Sequence, residues 1–188
     1  NNEKGVLPIH PDVKKVAVLT VGKVKELEAF TNELKKYVEV HTFELGKQMP
    51  DSLQQKLRDS LSAYRRIIVP VNEIRLAPYQ SFFAKFTPQV PVVYAFFTPA
   101  KLMLQIHRAI SNASSVVLGH TDSDEVQEQI AALLFGKAAA NGRLSAGIGG
   151  LFRAGAGLTV TTSTPYHFVP EEYGMRSEVL QSIDTIAM

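Results

Sequence analysis

The residues best able to do chemistry are Asn72, Glu73 and Arg75 on one short stretch, and His120 on another. Glu73 follows the apolar run Ile67-Ile68-Val69-Pro70-Val71 one residue on, after Asn72, where a buried strand ends and a ligand can approach. A carboxylate placed there can accept sugar hydroxyls, with Arg75 orienting it and the Asn72 amide beside it. The plainer reading, a solvated Glu-Arg loop pair, is the preferred one. His120 closes the run Ser115 to Gly119 in the same way, but one histidine without a placed partner is weak ground for catalysis. Asp122, Asp124 and Glu125 cluster where a helix should start, and acids there favour the helix dipole. Asn72, Glu73, Arg75 and His120 are therefore candidate substrate contacts, and no catalytic residue is expected.

Other chemistries lack their motifs. The turn Val21-Gly22-Lys23-Val24 is not GxGxxG, and no GxxxxGK[ST] occurs, so no nucleotide cofactor is expected. Neither a GxSxG elbow nor SxxK is present, which leaves no activated serine. The five histidines form no HExxH or other close ligand pair, so no metal is expected. His107 reads as a helix-surface residue. Zero cysteines exclude disulfides, thiolate metal sites and a cysteine nucleophile.

The elements that must hold these residues alternate between apolar runs and amphipathic stretches. Val16 to Val21 is apolar on both faces, as a strand covered by helices on each side must be. The following helix places Val24, Leu27, Phe30, Leu34 and Tyr37 on one face, and Val38 to Phe43 alternates like a strand nearer the edge. Asp51 or Ser52 is expected to cap a helix burying Leu53, Leu57 and Leu61. In the third strand Pro70 cannot donate to a ladder, which predicts a place near the strand end or on a free edge. A short helix should start at Pro78. Val92 to Phe97 is the fourth strand, and Thr98 before Pro99 predicts a capped helix burying Leu102, Ile106, Ala109 and Ile110. Ser115 to Gly119 is the fifth strand, and Asp122 with Glu125 has capping-box spacing for a helix burying Val126, Ile130, Leu133 and Leu134. Leu158 to Thr162 is a candidate final strand after a glycine-rich connector. The expectation is a three-layer α/β/α sandwich on a mostly parallel sheet of about six strands, with ligands at the strands' carboxyl ends.

Bulk properties fit such a fold. The chain has 188 residues, 45% hydrophobic and 20% charged, with a net charge of +2. That charge is too small, and the basic residues too scattered, to predict nucleic-acid binding. No apolar run approaches the ~18 residues of a membrane span.

Several stretches, taken in order, carry a family resemblance. LPIHPDVKKVAVLTVG resembles the opening of the C-terminal α/β sandwich of glycoside hydrolase family 3, and IIVPVNEIRLAPYQ is similar to its third strand and following loop. VPVVYAFFTPAKL resembles the strand that leads into a Pro-initiated helix, and AALLFGKAAANGRLSAGI its closing helix and Gly-Arg-Leu turn. Together they cover residues 6 to about 150. Beyond them, PEEYGMRSEVLQSIDTIAM (170–188) carries a helical stripe of Val179, Leu180, Ile183, Ile186 and Ala187 that needs a partner surface. This tail looks like the start of a penicillin-binding-protein or β-lactamase-like domain.

The resemblance implies a parent that hydrolyses a β-glycosidic bond by the retaining, two-carboxylate route, with its nucleophile on an upstream TIM-type barrel. Glu73 is the only carboxylate on the loop from which glucosidase-like members contribute an acid/base. The spacer before Pro78-Tyr79 is longer than usual, and Gln80 stands where a second acid would often be. The β-N-acetylglucosaminidase branch takes its acid/base from the barrel instead, which makes this segment an accessory, non-catalytic domain. The implied organisation is a lead-in linker (1–15), the sandwich (16–162), and a linker with the first helix of a β-lactamase-like domain (163–188). The implied partners are the barrel, that downstream domain and a carbohydrate substrate, in a secreted or periplasmic setting. Two alternatives remain: a free-standing small-ligand module, and part of a serine hydrolase or transpeptidase whose nucleophile lies downstream.

Overall fold

The structure is a computed structural model and describes Asn2 and residues 5–162. The expected tail helix therefore lies outside the described residues. Among the described residues five strands build one parallel sheet: β1 (Lys15–Thr20), β2 (Glu39–Glu44), β3 (Ile67–Val71), β4 (Val92–Phe96) and β5 (Ser115–Leu118), in the order β2-β1-β3-β4-β5. Between and after them come α1 (Glu28–Lys35), α2 (Asp51–Ser62), α3 (Gln80–Lys85), α4 (His107–Ser111) and α5 (Asp124–Leu134). The α/β sandwich expected from the alternating pattern is the observed fold.

Alternate residues of each strand feed two cores. Val16, Val18, Ile68, Val93 and Ala95 pack with Phe30 and Leu34 of α1 and Ile130, Ala131 and Leu134 of α5. On the other face Ala17, Leu19, Val69, Tyr94 and Phe96 pack with Leu61 of α2, Phe82 and Phe83 of α3, and Ala109 and Ile110 of α4. Both strand faces are therefore apolar, and each fully buried side chain such as Phe30 contributes roughly 1.5–3 kcal/mol.

Of the two places expected for Pro70, the structure shows the strand end and not the free edge: β3 is central, with β1 and β4 on its flanks. The ladder to β4 runs unbroken from Ile67 to Val71, but the ladder to β1 stops after Val18↔Ile68 and resumes only as the bridge Val21↔Val71. The missing Pro70 N–H falls in that gap, near the strand's carboxyl end as expected. Several other local expectations change. In α2 the stripe is turned: Leu53 is 49% exposed, while Gln54 is buried and donates to the Met49 carbonyl and the Ser81 hydroxyl. Pro50 takes the N-cap position without a side-chain cap bond. Val24 is exposed because residues Val24–Leu27 form a 3-10 turn, whose tighter winding rotates it off the α1 face.

Thr98 does not cap. Pro99 holds that position before the 3-10 segment Ala100–Ile106, and the Thr98 hydroxyl is buried with no hydrogen-bond partner among the described residues. Ser123, not Asp122, is the N-cap residue of α5. Glu125 lies below the usual carboxylate range because its own backbone N–H and the Ser123 hydroxyl bond to it. Leu158 to Thr162 does not join the sheet among the described residues; Val160 makes an isolated antiparallel bridge to Ala140, both of whose bonds stay within the connector.

Candidate functional site

The order β2-β1-β3-β4-β5 reverses direction between β1 and β3, and in such sheets a ligand crevice opens there at the carboxyl ends. Asn72 occupies it. The Asn72 Oδ1 accepts from the Lys23 N–H at 2.9 Å, and its Nδ2 donates to the Lys23 carbonyl at 3.2 Å and reaches Glu26 Oε2 at 3.5 Å. The buried amide thus clasps the loop after β1 instead of turning outward to a ligand. Gly22, at φ +125°, permits the approach: a Cβ there would lie 2.1 Å from Asn72 Oδ1.

Glu73 is next, and its carboxylate is already paired. Lys47, from the loop after β2, places its ammonium 2.6 Å from Oε2, and the Arg75 backbone N–H donates to Oε1 at 3.1 Å. Only 11% of the Glu73 side chain is exposed. Burial works against its charge, but the Lys47 ammonium and the Arg75 and Ile74 N–H groups outweigh it and hold the carboxyl below the usual range. The orienting cation is Lys47 rather than the Arg75 guanidinium, and Arg75 itself is exposed. Tyr79 lies behind this pair, its phenol pushed up by burial first and then by the charges of Glu73 and Glu44.

Asn72, Glu73 and Arg75 thus share one loop, whereas His120 lies elsewhere. His120 follows β5, is exposed, and adopts φ +66°. Among the described residues no hydrogen bond or ion pair joins it to Glu73. It lines a cavity of about 530 Å³ between β5 and the glycine-rich connector, with Leu118, Leu144, Ile148 and Phe152. Among the described residues no group of three or more His, Cys, Asp or Glu side chains is placed to hold a metal. No described helix is long and apolar enough to cross a membrane.

Two residues that shape this edge escaped sequence reasoning. Lys47 lies far from Glu73 in the chain, and nothing local marks the pairing. Gln127, fully buried on α5, accepts from the Phe30 N–H at 3.1 Å and donates to the Glu26 and Asp122 carbonyls at 2.7 and 2.6 Å. Together Gln127 and Asn72 tie the loops after β1, β3 and β5 into one platform. The available signal was a polar residue on the buried stripe of Gln127, Ala131 and Leu134.

Comparison with solved structures places this fold beside glycoside hydrolases. A glycoside hydrolase family 3 β-N-acetylglucosaminidase from Paenibacillus sp. str. FPU-7 matches 79% of the chain at 16% identity, with a TM-score of 0.54. A glycoside hydrolase family 3 exo-β-xylosidase, solved with a xylobiose aziridine activity-based probe, matches 73% at 16% identity, with a TM-score of 0.51. The likeness is one of fold. The chain spans 28% of the first enzyme's length and 22% of the second's. No family model matches the sequence, and no curated protein matches it.

Proposed function

We propose that this segment is an accessory, non-catalytic domain of a longer β-glycosidase of the β-N-acetylglucosaminidase kind, acting on carbohydrate or cell-wall glycan. The observation that carries the reading is the state of Glu73. A general acid must hold a proton near neutral pH, and a carboxyl paired with Lys47 and two N–H groups gives it up instead. The shared fold, and the small share of each glycosidase that it represents, support a part rather than a whole. On this reading the reactive carboxylates belong to an upstream barrel, and a β-lactamase-like domain follows the segment. Ile74, 63% exposed beside the Glu73–Lys47 pair, offers an apolar contact to such a neighbour at the rim of the sugar site. The parent would work outside the cytoplasm, secreted or in the cell envelope.

The test is hydrolysis of a chromogenic β-N-acetylglucosaminide and a β-xyloside by the purified chain. No turnover is expected. Turnover that disappears in Glu73→Gln would make the loop catalytic and overturn the reading.

The cavity beside His120 favours a second reading, a small-ligand module, because its size and largely apolar lining suit a small molecule. A rise in melting temperature with one member of a sugar and nucleotide panel would support it; an unmoved melting temperature across the panel would count against it.

A further inference from the structure

At the opposite edge of the sheet, three titratable side chains form a continuous hydrogen-bonded chain. Glu39 and His41 stand two residues apart on β2 and so share one face of that edge strand. His41 Nε2 lies 2.6 Å from Glu39 Oε1, and His41 Nδ1 lies 2.6 Å from the Tyr64 hydroxyl. Tyr64 sits just past α2, where its N–H bonds to the Leu61 carbonyl. Its ring is fixed edge-on to His41 at 5.4 Å and to Phe43 at 5.7 Å, with the Lys15 ammonium 5.7 Å from the ring centre.

The chemistry of the partners sets the proton positions. A carboxylate only accepts, so the neutral imidazole places its proton on Nε2 toward Glu39. Nδ1 is then the lone-pair nitrogen and must accept the Tyr64 proton. That is the arrangement of an activated nucleophile: a hydroxyl on a base, and the base held by a third group. The side chains of His41 and Glu39 are both open to solvent, and that of Tyr64 is partly so.

We propose that Tyr64 is a nucleophilic phenol, with His41 as its general base and Glu39 as the positioning residue, that takes an acyl group from an activated acyl donor. Tyr64 Oη forms the new bond to the acyl carbon and passes its proton to His41 Nδ1. The bond from the acyl carbon to the leaving group breaks, and the imidazolium returns the proton to that group. The product is an aryl ester on Tyr64, and nothing is oxidised or reduced.

The other described tyrosines serve as internal controls. Tyr37 donates to Glu33 at 2.6 Å, and burial followed by that carboxylate pushes its phenol up to about 12. Tyr79 and Tyr94 are buried.

The full 188-residue chain is treated with N-acetylimidazole at neutral pH, and each tyrosine is read by peptide mass spectrometry against lysine acetylation. Tyr64 is expected to react at least about tenfold faster than Tyr37, and His41→Gln to slow it by about tenfold or more with lysine rates unchanged. Glu39→Gln is expected to slow Tyr64 about threefold, with Glu39→Asp restoring most of the rate; this pair decides the question if His41→Gln fails to fold. A Tyr64 rate equal to that of Tyr37 overturns the proposal, as does one unmoved by His41→Gln in a folded protein or by Glu39→Gln.

Discussion

Asn72 and Gly22 are matched: the amide oxygen of one fills the space that a side chain on the other would need, 2.1 Å from a would-be Cβ. The pairing fastens the loop after β1 to the residue that follows β3 and makes that loop part of the scaffold. Gly22→Ala should therefore destabilise the fold by about 2 kcal/mol or more, combining a strained positive φ with loss of the clasp. Asn72→Ala should cost about 1–3 kcal/mol, and the double variant less than the sum, because the 2.1 Å clash goes with the amide and only the tighter backbone contacts and the strained φ remain. Urea unfolding of the four proteins measures this, and strict additivity would refute the matched pair.

Glu73 stabilises the fold through its charge, so its contribution depends on pH in a defined direction. Its folded-state value lies below the ordinary one, so the unfolded chain binds that proton more readily. The contribution is complete above the unfolded pKa of about 4.3 and disappears as pH falls through the folded value. Glu73→Gln should cost about 1–2 kcal/mol at pH 7, and the difference from the parent should shrink toward pH 3. A pH-independent difference in urea midpoints would contradict this.

The Thr98 hydroxyl gives a prediction whose sign separates two accounts. As a helix cap, its loss would cost about 1 kcal/mol. As a buried hydroxyl without a partner among the described residues, its replacement in Thr98→Val should be neutral or raise stability by up to about 1 kcal/mol. Thermal unfolding decides between them.

Gln127 holds three backbone groups with one buried amide: the Glu26 carbonyl and the Phe30 N–H of the connection after β1, and the Asp122 carbonyl of the loop after β5. Gln127→Met keeps the volume and removes the bonds, and should cost roughly 2–4 kcal/mol because it leaves the Phe30 N–H and the Glu26 and Asp122 carbonyls short of a partner. The urea midpoint should fall with the slope unchanged.

What the sequence revealed was set by the range of the interactions. Val16 to Val21 and Ile67 to Val71 are apolar without alternation, and such runs belong to strands covered on both sides wherever they sit in the sheet. Glu73 was legible as the carboxylate at a strand's carboxyl end, because strand boundaries are local. Its charge state was not, since Lys47 arrives from a different loop. Thr98 and Leu53 depart from their local expectation for a related reason: local spacing assumes an α-helix in a standard orientation. A 3-10 start after Pro99 and a buried Gln54 change which side chains face inward. For Pro70 the missing N–H leaves a strand end and a free edge open, and sequence position alone does not show that β3 is central or that the broken ladder is the one to β1.

The account rests on Glu73 being a fixed anion rather than a proton donor, and a carbon-13 NMR titration of its side-chain carboxyl measures that directly. A midpoint below the ordinary glutamate value of about 4.3 is predicted, moving up in Lys47→Met. A midpoint near about 6 or above, in the range of a working general acid, would contradict it.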